Sequence, residues 1–330
     1  MQLKSTLLIH IALLPVYITV ASFFGIIPQS YNLASLFKLA RTNLPRLFNQ
    51  PNLSANLTTA TANATMSNGM KFVGRPSDER GNADHDWLKT FHTFSFAMYQ
   101  DWNHEAFGPL RVINEDRVAP RTGFGTHSHR EFEIFSYVVK GELEHKDSMG
   151  NTEILRRGDL QLTSAGTGIS HSEKCHGGKE VHFLQIWSLP ATARLQPKYF
   201  TRHFSDEEKK DTWARIVAPA WEEGVKNVRE TDGPAPVQSA LSLYATLLST
   251  GKTLERPFEG KKGYIHVVQT SGYNPNKSQG ATVKVSGPGY EELELKEGDG
   301  AYIFVGQKGN ALKVENTGDK TAEVLLFDLE

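Results

Sequence analysis

Four side chains in two short segments have the types and spacing of a metal centre. In GFGTHSHREFEIFSYVVKG (123–141), His127 and His129 stand two residues apart, and in GDLQLTSAGTGISHSE (158–173) so do His171 and Glu173. Side chains at i and i+2 of a β-strand share a face, so each pair aims one way. Imidazole nitrogens and carboxylate oxygens grip a divalent ion such as zinc at about 2.0–2.2 Å. Two such strands side by side would supply a His3Glu set with at least one coordination position open for chemistry. One carboxylate among imidazoles suits iron, manganese, nickel, copper or zinc, so the ligand types alone leave the ion open. If the first strand runs regularly, Glu131 and Glu133 continue its parity. His145 and His182 are the spare histidines nearby. Both are read as non-ligands that at most support the ligands from behind.

The elements that must hold these residues are short β-strands. Residues 110–114, 133–139, 160–162 and 181–187 are β-prone and separated by Gly, Pro, Asn and Asp turns, and 142–145 with 152–155 read as a hairpin. Residues 205–215 (SDEEKKDTWAR) have the pattern of a short helix capped by Ser205. The cluster TDGPAP at 231–236 marks a linker or turn, and a second β series follows at 241–248, 264–269, 282–286, 292–295, 301–305, 311–315 and 323–328. Gly298-Asp299-Gly300 before one strand parallels Gly158-Asp159 before another, which hints at one barrel plan used twice. Many short strands of this kind predict sandwiches or barrels. The expected division is a leader at 1–70, a metal-holding barrel at 71–200, a connecting region at 201–237 and a second barrel at 238–330.

Length and composition fit this division. A chain of 330 residues has room for two domains, and 39% hydrophobic with 22% charged residues suits a globular protein. Lys and Arg number 36 against 37 Asp and Glu, so no net positive field favours direct nucleic-acid binding. The single cysteine, Cys175, excludes an intrachain disulfide. Lys174 and His176 beside it would favour a thiolate, but a spectator thiol is the simpler reading. Residues 7–27 are almost wholly apolar and long enough for a membrane anchor or a long signal segment. Residues 28–70 are rich in Asn, Ser, Thr and Ala and are expected to be disordered. No acidic residue precedes Asp78, which also fits a mitochondrial import leader, while Asn52, Asn56 and Asn63 begin sequons relevant only to a secretory route. Membrane association through 7–27 is therefore an expectation, and the destination is left open between these routes.

The chain also resembles a known family. Arg80 with Gly81, the stretch from His85 to Trp87, FHTFSFAMY (91–99), FGPLRVINEDRV (107–118), GTHSHREFEIFSYVVKGELEHKDSMGN (125–151) and TSAGTGISHSE (163–173) are similar, in order, to the pirins, especially pirin-like quercetin 2,3-dioxygenases. The likeness runs from Lys71 to the ending VLLFDL at 324–329. It implies an all-β bicupin: two cupin (double-stranded β-helix, or jelly-roll) barrels, the first holding one metal on His127, His129, His171 and Glu173, the second without a metal. That agrees with a C-terminal half in which His266 is the one histidine after His203. Ser128 departs from the proline usual between the two histidines. Glu133 matches a glutamate that binds metal in other cupins, and here it is expected behind the ligands, with direct ligation as the alternative; His182 is the other such candidate.

The resemblance further implies a metal-dependent dioxygenase, Fe(II) being the first choice of ion and Cu, Ni, Mn or Zn the others. A flavonol-like small aromatic and O2 would be the substrates, with ring cleavage and loss of carbon monoxide. A flavonol carries a 3-hydroxyl beside a 4-keto group, and Glu173 is the expected base for that hydroxyl. An interior supplied by Phe132, Ile134, Phe135, Leu160 and Phe183 is expected to shelter the reaction. Two other readings stand beside this one: a non-catalytic, metal- or redox-responsive protein-binding regulator, and a metal-dependent isomerase or hydrolase on the same barrel.

Overall fold

The computed structural model describes residues 68–330. The apolar run at 7–27, the three sequons and nearly all of the expected leader lie outside the described residues. Among those described, no helix is long and apolar enough to cross a membrane.

Among the described residues the strands are β1 (Met70–Arg75), β2 (Gly81–Asp84), β3 (Leu88–His92), β4 (Leu110–Val118), β5 (Gly123–Lys140), β6 (Glu142–Asp147), β7 (Thr152–Arg156), β8 (Asp159–Cys175), β9 (Val181–Ser188) and β10 (Lys198–His203). Strands β2 to β10 form one nine-stranded sheet in the order β2-β3-β4-β9-β5-β8-β6-β7, with β10 added to β8. The later strands are β11 (Ala214–Pro219), β12 (Ala235–Val237), β13 (Leu241–Leu248), β14 (Thr253–Pro257), β15 (Lys262–Val267), β16 (Thr282–Gly287), β17 (Tyr290–Lys296), β18 (Gly300–Val305), β19 (Ala311–Asn316) and β20 (Ala322–Leu329). They form a seven-stranded sheet, β1-β18-β15-β20-β13-β11-β12, and a four-stranded one, β14-β19-β16-β17.

The two halves exchange chain at their edges. Met70–Arg75 pairs antiparallel with β18, so the first described strand serves the C-terminal barrel, although residues from 71 on were expected in the metal-holding one. Likewise β11 and β12, within the expected connecting region, complete the seven-stranded sheet. The helix expected over 205–215 is shorter than its pattern suggests. Ser205 does cap it, with a capping box to Glu208, but only Asp206–Lys209 is helical. Asp211 then takes a positive φ of 52° and its backbone N–H binds Leu247 O, which turns the chain into β11.

Three apolar clusters hold the assembly together. One fills the C-terminal barrel, with Ile265, Ile303 and Val324 of the seven-stranded sheet against Val283, Val285 and Val314 of the four-stranded one. A second joins the barrels: Phe135, Leu160, Leu184 and Ile186 pack on Val217, Leu243 and Phe327. A third, with Leu88, Val118, Val138, Cys175 and Phe183, lies within the first barrel. Phe135 and Leu160 thus belong between the barrels and not beside the candidate metal centre, where they had been expected. The two Gly-Asp turns are the same device. Asp159 accepts the Arg156 N–H at 2.7 Å and Asp299 the Lys296 N–H at 2.8 Å, each beside a glycine of positive φ, 90° at Gly158 and 86° at Gly298.

Candidate metal centre

Strands β5 and β8 are neighbours, with His127 directly opposite His171 in the antiparallel register. The rings of His127, His129 and His171 converge, with centroids 4.5–4.8 Å apart. One nitrogen from each lies within 4.8 Å of the others, spacing compatible with bonds of about 2 Å to one ion. His127 Nδ1 donates to Gly125 O at 2.8 Å, and its Nε2 faces His171 Nε2 at 3.1 Å. The His129 Nε2 and His171 Nδ1 atoms are buried without hydrogen-bond partners, as ligand nitrogens would be. These donors fit a divalent transition ion.

Glu173 is fully buried and lies on the inner side of this group. Its Oε1 accepts from Ser136 Oγ at 2.8 Å and its Oε2 from Gln185 Nε2 at 2.7 Å. The carboxylate groups most closely with His171 and His145, while His127, His129 and His171 form the other triplet. The expected His3Glu set is therefore two triplets that share His171.

Parity on β5 reverses after His129. Glu131 has a positive φ of 67°, and the β5–β8 register shifts between His129 and Glu131. Inward positions change from odd (His127, His129) to even (Ser136, Val138). Glu133 consequently leaves the metal face: its carboxylate accepts from Ser164 Oγ and the Gln238 N–H, and burial pushes its pKa up to about 7. His182 also points elsewhere, its Nε2 donating to Glu115 Oε1 at 3.0 Å. Ser128 bonds Ser170 across the strands at 2.7 Å, on the exposed side.

The interior beside the centre is more polar than expected. Asn114 bonds His92 at 2.8 Å, and Asp116 is buried with a pKa raised to about 7, by burial first and then by the Glu173 and Glu115 charges. Ser136, Gln185 and Trp187 escaped notice in the sequence. Trp187 packs edge-on against His129 at 4.8 Å and holds that ring in place. A signal existed for two of them: Ser136 and Gln185 are lone polar residues within the apolar runs IFSYVV and FLQIW. Cys175 is buried and free, and burial raises its thiol pKa, which goes against an activated thiolate.

Burial, followed by the neighbouring imidazoles, lowers His129 to about 3 and His171 to about 2. Both rings stay neutral at working pH, as ligation requires. A lowered folded value means that only the unfolded chain takes the proton below about 6.5, so the metal-free protein loses stability as pH falls from there. His129→Gln should flatten this acid dependence by up to about 1.4 kcal/mol per pH unit between pH 6 and 4. Urea unfolding of metal-free wild type and variant at several pH values reads this directly; parallel curves would contradict it.

A pocket of about 320 Å³ lies on the exposed side of β5 and β8, lined among others by Ser128, Arg130, Ser148, Thr167 and Ser170. Residues 74–188 match the family model described as Pirin. A quercetin 2,3-dioxygenase from Escherichia coli (strain K12) is 35% identical over 257 residues, which are 77% of this chain and 97% of that protein. A pirin-like protein from Caulobacter vibrioides is 32% identical over 215 residues, 64% of this chain and 89% of its own. Among solved structures, a bacterial pirin from Escherichia coli in complex with nickel(II) aligns with a TM-score of 0.64 at 32% identity, covering 78% of this chain and 99% of that one.

Proposed function

The chain belongs to the pirin family, and from that premise we propose that it is a metal-dependent dioxygenase of a flavonol-like substrate, its ion held by His127, His129, His171 and Glu173. The observation that carries this reading is the convergence of three imidazoles, two of them with unpartnered buried nitrogens. The name of the Escherichia coli relative supports the reaction class, and the nickel(II) complex of the bacterial pirin supports a first-row divalent ion. Fe(II) remains our first choice, with Ni, Cu, Mn and Zn compatible with the same donors.

When bound, the ion supplies Lewis acidity toward a hydroxyl–keto pair and a place for O2 beside it. The chain supplies position and proton transfer. Trp187 and the bond from His127 Nδ1 to Gly125 O hold two imidazoles in orientation. Ser136 and Gln185 each occupy one lone pair of the Glu173 carboxylate and fix its plane, and a carboxylate has further lone pairs with which to take the substrate's 3-hydroxyl proton.

Metal-loaded protein mixed anaerobically with quercetin and then exposed to air should consume O2 and release carbon monoxide, and Glu173→Gln should lower turnover by about 10²-fold or more. Absence of turnover in the loaded wild type, with metal-dependent capture of a protein partner instead, would replace the enzyme by the regulator.

A further inference from the structure

We propose that His145 is a fifth metal-facing side chain, which gives the ion an inner position on His145, His171 and Glu173 besides the outer one on His127, His129 and His171. The proposal rests on the metal-centre reading above. In the β6–β8 register His145 stands directly opposite Glu173, and cross-strand partners share a face. Its ring is fully buried, 5.1 Å from the His171 ring and 5.2 Å from that of Tyr199. Neither ring nitrogen has a hydrogen-bond partner. Asp147 Oδ2 is 3.7 Å from His145 Nε2, beyond hydrogen-bond reach, and the Asp147 carboxylate is already taken by the backbone N–H groups of Met149 and Asn151 and by the Asn151 amide. A buried imidazole is rarely left without any partner, because its nitrogens lose water and gain nothing in return.

Ligation would repair that loss. One donor atom each from His145, His171 and Glu173 lies within 4.8 Å of the others. His171 can serve both triplets, since its Nε2 faces His127 at 3.1 Å while its Nδ1 is buried and unpartnered. The two positions differ in what they ask of Glu173. The inner one takes the carboxylate as one of its three donors, whereas the outer one has three imidazoles and takes Glu173 as a fourth.

The test is titration of the metal-free full chain with Co(II), followed by its visible ligand-field bands and by bound metal after dialysis. His127→Ala/His129→Ala should still bind one Co(II), at least tenfold more weakly than wild type and with a changed spectrum. Adding His145→Gln should abolish that residual binding. No Co(II) on the double variant, or equal binding by double and triple variants, overturns the inner position. The double variant alters only half-buried residues, so its result does not depend on a core substitution. If the triple variant fails to fold, pulsed electron paramagnetic resonance of Cu(II) on the double variant decides: two coordinated imidazoles support the proposal and a single one overturns it. A wild type that binds no Co(II) overturns the whole metal centre, and the inner position with it.

Discussion

Glu115→Ala is expected to destabilise the protein by about 3–5 kcal/mol, the usual cost of removing one partner from a buried charge cluster. Glu115 is fully buried and accepts from His182 Nε2 at 3.0 Å, His266 Nε2 at 3.1 Å and the Gln269 N–H at 2.7 Å, with Arg80 Nη2 at 3.5 Å. Burial alone would raise its pKa, but the hydrogen bonds from His182 and His266 outweigh burial and hold it well below the usual carboxylate range. These partners come from both halves of the fold. Glu115 and His182 lie on β4 and β9, His266 on β15, and Gln269 just after β15. The same region is tied by Arg117, whose guanidinium donates to Gln269 O. Alanine would leave the buried Arg80 guanidinium without its carboxylate and strand three N–H donors. Glu115→Gln should recover part of the loss, because its amide oxygen accepts while its NH2 group meets donors. Urea denaturation of the metal-free forms measures both variants. A loss below about 1 kcal/mol for alanine would show that water or repacking satisfies the cluster.

None of that junction was legible in the sequence, and the reason is physical. Glu115, His182 and His266 are far apart in the chain; Glu115 alone reads as a polar residue in a strand, and His182 was expected behind the metal ligands instead. Only the barrel-to-barrel packing brings them together. The His127–His129 and His171–Glu173 pairs were legible because a period of two encodes a shared face locally. Their mutual approach needed only that β5 and β8 be neighbours. That same rule failed at Glu133, since it assumes a regular strand, and a positive φ at Glu131, a residue with no preference for it, reverses the face. Phe135 and Leu160 were misplaced for the related reason that both faces of this sheet are covered. Apolar residues on β5 therefore serve either the first barrel's interior, as Val138 does, or the joint between barrels, as Phe135 does. Composition cannot separate the two. His145 was read as a non-ligand, since its tie to Glu173 is a matter of β6–β8 register.

His171→Ala is expected to have the largest effect on the metal, weakening Ni(II) binding by about 10²-fold or more, since loss of a ligand should cost at least as much as loss of a residue that orients one. The ring is central to both triplets, so its loss leaves each a donor short. His127→Ala removes a donor from the outer triplet alone and should weaken binding less. The fold should withstand the His171 change, because its Nδ1 makes no hydrogen bond and its Nε2 contact at 3.1 Å is to His127, another candidate ligand and not a structural partner. Its low folded pKa of about 2 also means that the metal-free variant sheds an acid liability, so it should tolerate pH 5 better than metal-free wild type. Calorimetric Ni(II) titration with circular dichroism separates these effects. A folded variant that still takes up nickel at wild-type affinity would show that the shared ring is not a ligand, and the metal centre would have to be rebuilt without it.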